Sequence, residues 1–225
     1  MKFLSKISIC LLIVLAVFSN NSCKEDNEVP SSVTDIDGNV YNIVTIGSQV
    51  WMKENLKTTK YTNGDPIPNV SDGTQWNNLT EDAFCYYDNN VSSANTYGLL
   101  YNWYAVSDSR KICPEGWRVP DKNDWNELVS FLGGEDGAAD KLKEKGTAHW
   151  AAPNTSASDK YGFTALPGGY RLETFNPPGY YAIWWSATPE DLQDAFIFTL
   201  IANNSKTYIE SQYKKAGHAV RCIKE

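Results

Sequence analysis

The chain has 225 residues, 42% of them hydrophobic and 21% charged, a composition of folded globular proteins and not of disordered or fibrous ones. Its 8 Trp, 13 Tyr and 8 Phe stand against 2 His and 2 Met, a balance that suits packing and ligand stacking and weighs against histidine-dependent catalysis or metal capture. A formal net charge of −7 supplies no basic field for condensing on phosphates, which argues against nucleic acid as a partner.

The chain opens with Lys2 and Lys6, an apolar run from Ile7 to Phe18, and the small or polar residues Ser19, Asn20, Asn21 and Ser22 before Cys23. This is the layout of a secretory signal peptide. The run is too short to cross a hydrocarbon layer as a helix, which takes about 20 residues, so residues 1–22 read as a cleaved leader. A leader ending at a cysteine resembles the bacterial lipoprotein pattern, which implies that Cys23 is lipidated, although Asn20, Asn21 and Ser22 replace its usual Leu and Ala or Gly. Ordinary cleavage would instead leave Cys23 as a spare thiol. Lys24, Glu25 and Asp26 resemble the charged signal of lipoproteins sent to the outer face of the cell, and equally fit a solvated charge run. The expectation is an outer-membrane lipoprotein exposed at the surface. An acidic body is repelled by an anionic bilayer, so membrane contact is expected through the lipid on Cys23 alone.

Residues 23–32 read as the lipidated cysteine and a flexible tether, and 33–225 as one domain. Asp37-Gly38 and Gly47-Ser48 are turn signals around the alternating stretches 41–46 and 49–52, predicting an N-terminal hairpin or meander. Residues 60–82 are rich in Asn, Asp, Gly, Pro and Thr and read as loop around Trp76. Leu100, Trp103, Tyr104 and Ser107 fall at helical spacing, predicting a short helix over 97–108. The clearest local signal follows: Asp121 precedes Trp125, Leu128, Val129 and Leu132 at i, i+3, i+4 and i+7, and Gly133-Gly134 ends the run. That predicts an amphipathic helix over 121–132 with Asp121 as its cap. A smaller helix is expected over 137–145. Strands are expected at 163–166, 170–172, 180–187, 195–201, 206–211 and 218–223, divided by Pro-Gly and Asn-rich turns. Strands, then helices, then strands, without βα alternation, give one α+β domain with a mainly antiparallel sheet and two to three short helices. Beyond the leader and Cys23, the body holds Cys85, Cys113 and Cys222, so at most one bridge forms among them. No CxxC pair or Cys/His cluster suggests zinc or redox chemistry.

Six stretches, DGNVYNIVTIGSQVWMKENLKT (37–58), YGLLYNWYAV (97–106), CPEGWRVPDKNDWNEL (113–128) with GFTALPGGYR (162–171), and WWSAT (184–188) with AVRCI (219–223), resemble the Fibrobacter succinogenes major paralogous domain family of secreted and lipid-anchored bacterial proteins. The GWRVP-helix element and the closing VRC strand are also similar to C-type-lectin-like and formylglycine-generating-enzyme-type domains. The resemblance implies a single C-type-lectin-like domain whose chain ends pair in one sheet and whose long irregular loop forms the ligand face. It also implies a Cys113–Cys222 disulfide. Cys85 lacks the second cysteine that many family members carry after the CYY element.

An enzymatic site finds little support. Glu135-Asp136 and Glu190-Asp191 lie in turn-rich sequence, and adjacent carboxylates cannot flank a substrate from opposite sides. No serine sits in a GxSxG setting. The oxidases of the related fold use a cysteine pair in the C-terminal half, where only Cys222 stands. The EPN, QPD and WND tripeptides of calcium-dependent lectins are absent, as is any DxDxDG loop, so no metal or cofactor is expected. What remains is non-catalytic binding of an extracellular glycan or protein. By the long-loop analogy residues 147–182 present Trp150, Tyr170, Arg171, Tyr180 and Tyr181 as the ligand-binding set, with Glu173 and Phe175 beside them. Trp184 and Trp185 read as core, while Trp76, Trp150 and Tyr180 fit either core or ligand face.

Overall fold

The computed structural model describes residues 31–154 and 156–225; the leader and Cys23 lie outside the described residues. The chain begins in a meander. β1 (Ser32–Thr34) pairs antiparallel with β2 (Val40–Ile46), and β2 with β3 (Gln49–Met52). The Asp35 carboxylate accepts the backbone N–H groups of Asp37 and Asn39 and the Tyr41 hydroxyl, which locks the first turn from inside. Gly47, at φ 64°, makes the second turn, a conformation that costs a residue with a Cβ.

The last strand, β12 (Ile223–Lys224), inserts between β3 and β6 (Trp117–Arg118), completing a five-stranded sheet in the order β1-β2-β3-β12-β6. The C-terminal strand thus lies between the meander and the entrance to the main helix. Cys113 and Cys222 are disulfide-bonded beside β6 and β12. A separate sheet carries β9 (Tyr181–Pro189), β10 (Asp194–Ile201) and β11 (Thr207–Tyr213) in the order β11-β10-β9. Two small hairpins, β4 (Phe84–Cys85) with β5 (Leu100–Tyr101) and β7 (Tyr170–Arg171) with β8 (Phe175–Asn176), complete the strands.

Among the described residues five short α-helices are present where two to three were expected: α1 (Gly73–Asn77), α2 (Ala94–Tyr97), α3 (Trp103–Val106), α4 (Lys122–Phe131) and α5 (Ala138–Leu142). Among them α4 matches its sequence signal. Asp121 accepts the N–H groups of Asn123 and Asp124, and the Asp124 carboxylate accepts the Asp121 N–H, a reciprocal cap. Its apolar stripe places Trp125 flat on Phe198, with ring centroids 4.4 Å apart, and 4.8 Å from Trp51. Trp184 and Phe163 close the same core.

Several boundaries differ from the sequence reading. The helix expected over 97–108 is split, because Gly98 sits at φ 75° and Tyr101 exchanges backbone hydrogen bonds with His218. The strand expected over 163–166 is reduced to one bridge between Ala165 and Lys143, since the Asp159 carboxylate takes the Thr164 N–H. The strand expected over 218–223 survives as bridges at His218 and Ala219 followed by β12. Among the described residues no helix is long and apolar enough to cross a membrane.

Candidate functional site

A cleft of about 370 Å³ opens where four separate stretches meet: Lys53–Asn55 after β3, Asn95 and Thr96 in α2, His149, Thr164 and Leu166 in the long loop, and Arg221 just before β12. At its floor Arg221 is 1% exposed and forms no ion pair among the described residues. Its Nε and Nη2 donate to Asn55 Oδ1 at 3.1 and 2.8 Å, and Nη1 donates to the Phe163 carbonyl. Asn55 Oδ1 also accepts the Trp184 indole N–H at 2.8 Å, while its amide nitrogen donates to the Tyr97 carbonyl at 2.9 Å. One amide therefore ties α2, β9 and the segment before β12 together, and Arg221 extends the link to Phe163 in the long loop. The guanidinium lies 4.3 Å from the Phe163 ring and 5.2 Å from that of Trp184, which offsets part of the cost of burying a charge. Burial pushes its pKa down to about 9, partly opposed by Glu54 and Asp159, so it stays cationic at neutral pH.

On the wall, His149 Nδ1 lies 2.9 and 3.0 Å from the Glu144 carboxylate oxygens. A carboxylate can only accept, so that contact places a proton on Nδ1. The Tyr97 ring meets the imidazole edge-on at 5.9 Å, and burial followed by the Glu144 charge raises the pKa of its phenol. Thr164 sits at φ 52°, a left-handed conformation that a β-branched residue adopts at a cost of roughly 1–3 kcal/mol. Asp159 holds it there by accepting both its N–H and its hydroxyl at 2.8 Å. Asn154 anchors the same loop by donating to the carbonyls of Glu144 and Gly146. The result is a polar recess whose shape is set by buried hydrogen bonds, with amide, hydroxyl, imidazole, carboxylate and ammonium groups around it.

The five residues expected to form the ligand face do not gather in this cleft. Trp150 is 1% exposed and donates its indole N–H to the Ala165 carbonyl at 2.8 Å, so it is core. Arg171, also 1% exposed, donates to the carbonyls of Val70 and Ser71 and lies between the rings of Trp76 and Phe175, each at 4.7 Å. Its charge is spent fastening α1 to β7. Tyr170 and Tyr181 are half-buried and pack edge-on at 6.0 Å. Tyr180 alone of the five is largely exposed, at 53%. Trp184 and Trp185 are core, and Trp76 is buried on α1. The acidic pairs are turn residues: the Glu135 carbonyl accepts from Thr207, and Asp191 accepts the N–H groups of Gln193 and Asp194.

The sequence signals above do not mark Asn55, His149, Thr164 or Arg221 as site residues. The VRC motif was the available signal for Arg221, whose partners come from segments 58 and 166 positions away. Among the described residues no group of three or more His, Cys, Asp or Glu is placed to hold a metal ion. The family described as the Fibrobacter succinogenes major domain matches residues 44–224. No curated protein and no solved structure matches the chain.

Proposed function

Because the chain belongs to the Fibrobacter succinogenes major domain family, whose description names no activity, we propose its function from the cleft itself: non-catalytic binding of carbohydrate or another extracellular macromolecule by a lipid-anchored protein of the outer membrane. The observation that carries the reading is the convergence of hydrogen-bonding side chains from four stretches on one recess with a buried, preorganised floor. Such a recess pairs with hydroxyl and amide groups of a ligand at little ordering cost. A C-type-lectin-like arrangement is supported by the insertion of β12 beside β3 and β6, and the lipid anchor by the leader ending at Cys23. Glycan-array binding that is lost in Asn95→Ala and His149→Ala, with unchanged melting, is the expected result. Binding that both variants retain would remove the cleft from the account. Palmitate labelling abolished by Cys23→Ala tests the anchor.

A second reading, acid–base catalysis on a bound polysaccharide, is favoured by His149 on the cleft wall and its contact with the Glu144 carboxylate, an arrangement that orients an imidazole for proton transfer. Release of reducing ends from a polysaccharide panel, abolished by His149→Gln, would select it over simple binding.

A further inference from the structure

A second groove, of about 490 Å³, shares no lining residue with the cleft. It lies between the stretch after α1, helix α3, the β9–β10 turn and the end of β11, and exposes apolar side chains to an unusual degree. Leu192 is 95% exposed and Tyr213 52%, with Tyr104 beside them. This leucine does not sit on a slack loop. Asp191 accepts the N–H groups of Gln193 and Asp194 at 2.7 Å, the N–H groups of Glu190 and Asp191 donate to the Asp194 carbonyl, and the Lys214 ammonium donates to the carbonyls of Asp191 and Leu192 while lying 4.6 Å from the Trp103 ring. A turn fixed at so many points that still holds leucine in water presents it for contact.

The polar lining indicates what is contacted. Asn77, Asn78 and Gln193 supply amide side chains, no carboxylate lines the groove, and its two ammoniums are engaged internally, Lys214 as above and Lys215 with the Asn77 carbonyl at 3.0 Å. A chain of net charge −7 thus forms here a groove of phenol rings, an alkyl tip and amides, in which the Lys214 charge is balanced by the Asp191 and Asp194 carboxylates of the adjoining turn. That set complements a ligand with apolar C–H faces and an uncharged hydroxyl rim. We propose that this groove is a second binding site, for a neutral polysaccharide, through stacking on Tyr104 and Tyr213 beside Leu192. The assignment rests on the saccharide reading of the proposed function and adds a separate site of defined ligand chemistry.

The test is electrophoresis of the full chain through native gels cast with xylan, mannan or hydroxyethylcellulose, and with polygalacturonate as the charged comparison. At least one neutral polysaccharide should retard the wild-type protein. Tyr213→Ala and Leu192→Asp, both at exposed positions, should weaken that retardation at least tenfold with unchanged melting. Retardation that survives both groove substitutions, or that occurs with polygalacturonate alone, would overturn the groove and leave the cleft reading standing. If no polysaccharide of either kind retards the wild-type protein, the saccharide reading of both sites falls.

Discussion

His218 is fully buried between Tyr170 and Trp185, 5.7 and 4.6 Å from their ring centroids, and neither ring nitrogen has a hydrogen-bond partner among the described residues. Burial pushes its pKa from the ordinary 6.5 down to about 3. The folded value lies below the unfolded one, so the unfolded chain takes up a proton that the native protein refuses. Stability is therefore complete above about pH 6.5 and falls by about 1.4 kcal/mol per pH unit on the way down to about pH 3. Urea melts from pH 7 to pH 4 should show this slope, and His218→Phe, which keeps a flat apolar ring, should flatten it; an identical slope in the variant would exclude His218 as its source. Asn55 is the other residue on which much depends. Its side chain satisfies Arg221, Trp184 and the Tyr97 carbonyl at once, so Asn55→Ala strands buried donors around a buried cation. The expected loss is about 3–5 kcal/mol in a denaturant titration, whereas a loss under 1 kcal/mol would mean that water replaces the amide.

At the scale of elements, α4 is held by local chemistry, and Asp121→Ala should cost about 1–2 kcal/mol because it removes two acceptor contacts at the first turn; circular dichroism melts measure it. The same local character made α4 legible, since cap, apolar stripe and terminal glycines all lie within one stretch of sequence. The meander was legible for the same reason, its turns being written in Asp37-Gly38 and Gly47-Ser48. The long loop was not. Trp150 and Arg171 have polar and glycine neighbours and look solvent-facing in sequence, yet each is satisfied by carbonyls that reach it only through tertiary structure: Ala165 for the indole, Val70 and Ser71 for the guanidinium. Helix α1 was missed because its five residues carry no periodic stripe beyond Trp76, with Asp72 as its local mark: its carboxylate accepts the Gln75 N–H. Polar spacing along a loop says little about burial when the loop folds onto its own domain.

At the scale of the molecule, closure depends on the C-terminal strand. The Cys113–Cys222 bridge spans 109 positions, and the chain-entropy relation assigns about 4–5 kcal/mol to a loop of that size. Cys113→Ala with Cys222→Ala should lose most of that in a guanidinium titration, and an unchanged midpoint would show that the sheet alone closes the domain. Cys85, the free thiol among the described residues, is buried, and burial raises its pKa to about 11; it should resist iodoacetamide until the protein unfolds. The closed end places Arg221 beneath the cleft, so closure and the proposed recognition share residues. Amide chemical-shift mapping during titration with a retained neutral saccharide tests that union most directly. The account predicts shifts confined to the residues around Asn55, Thr96, His149 and Thr164 and to the groove at Tyr104, Leu192 and Tyr213, whereas shifts centred on Tyr180, or none across the panel, would contradict it.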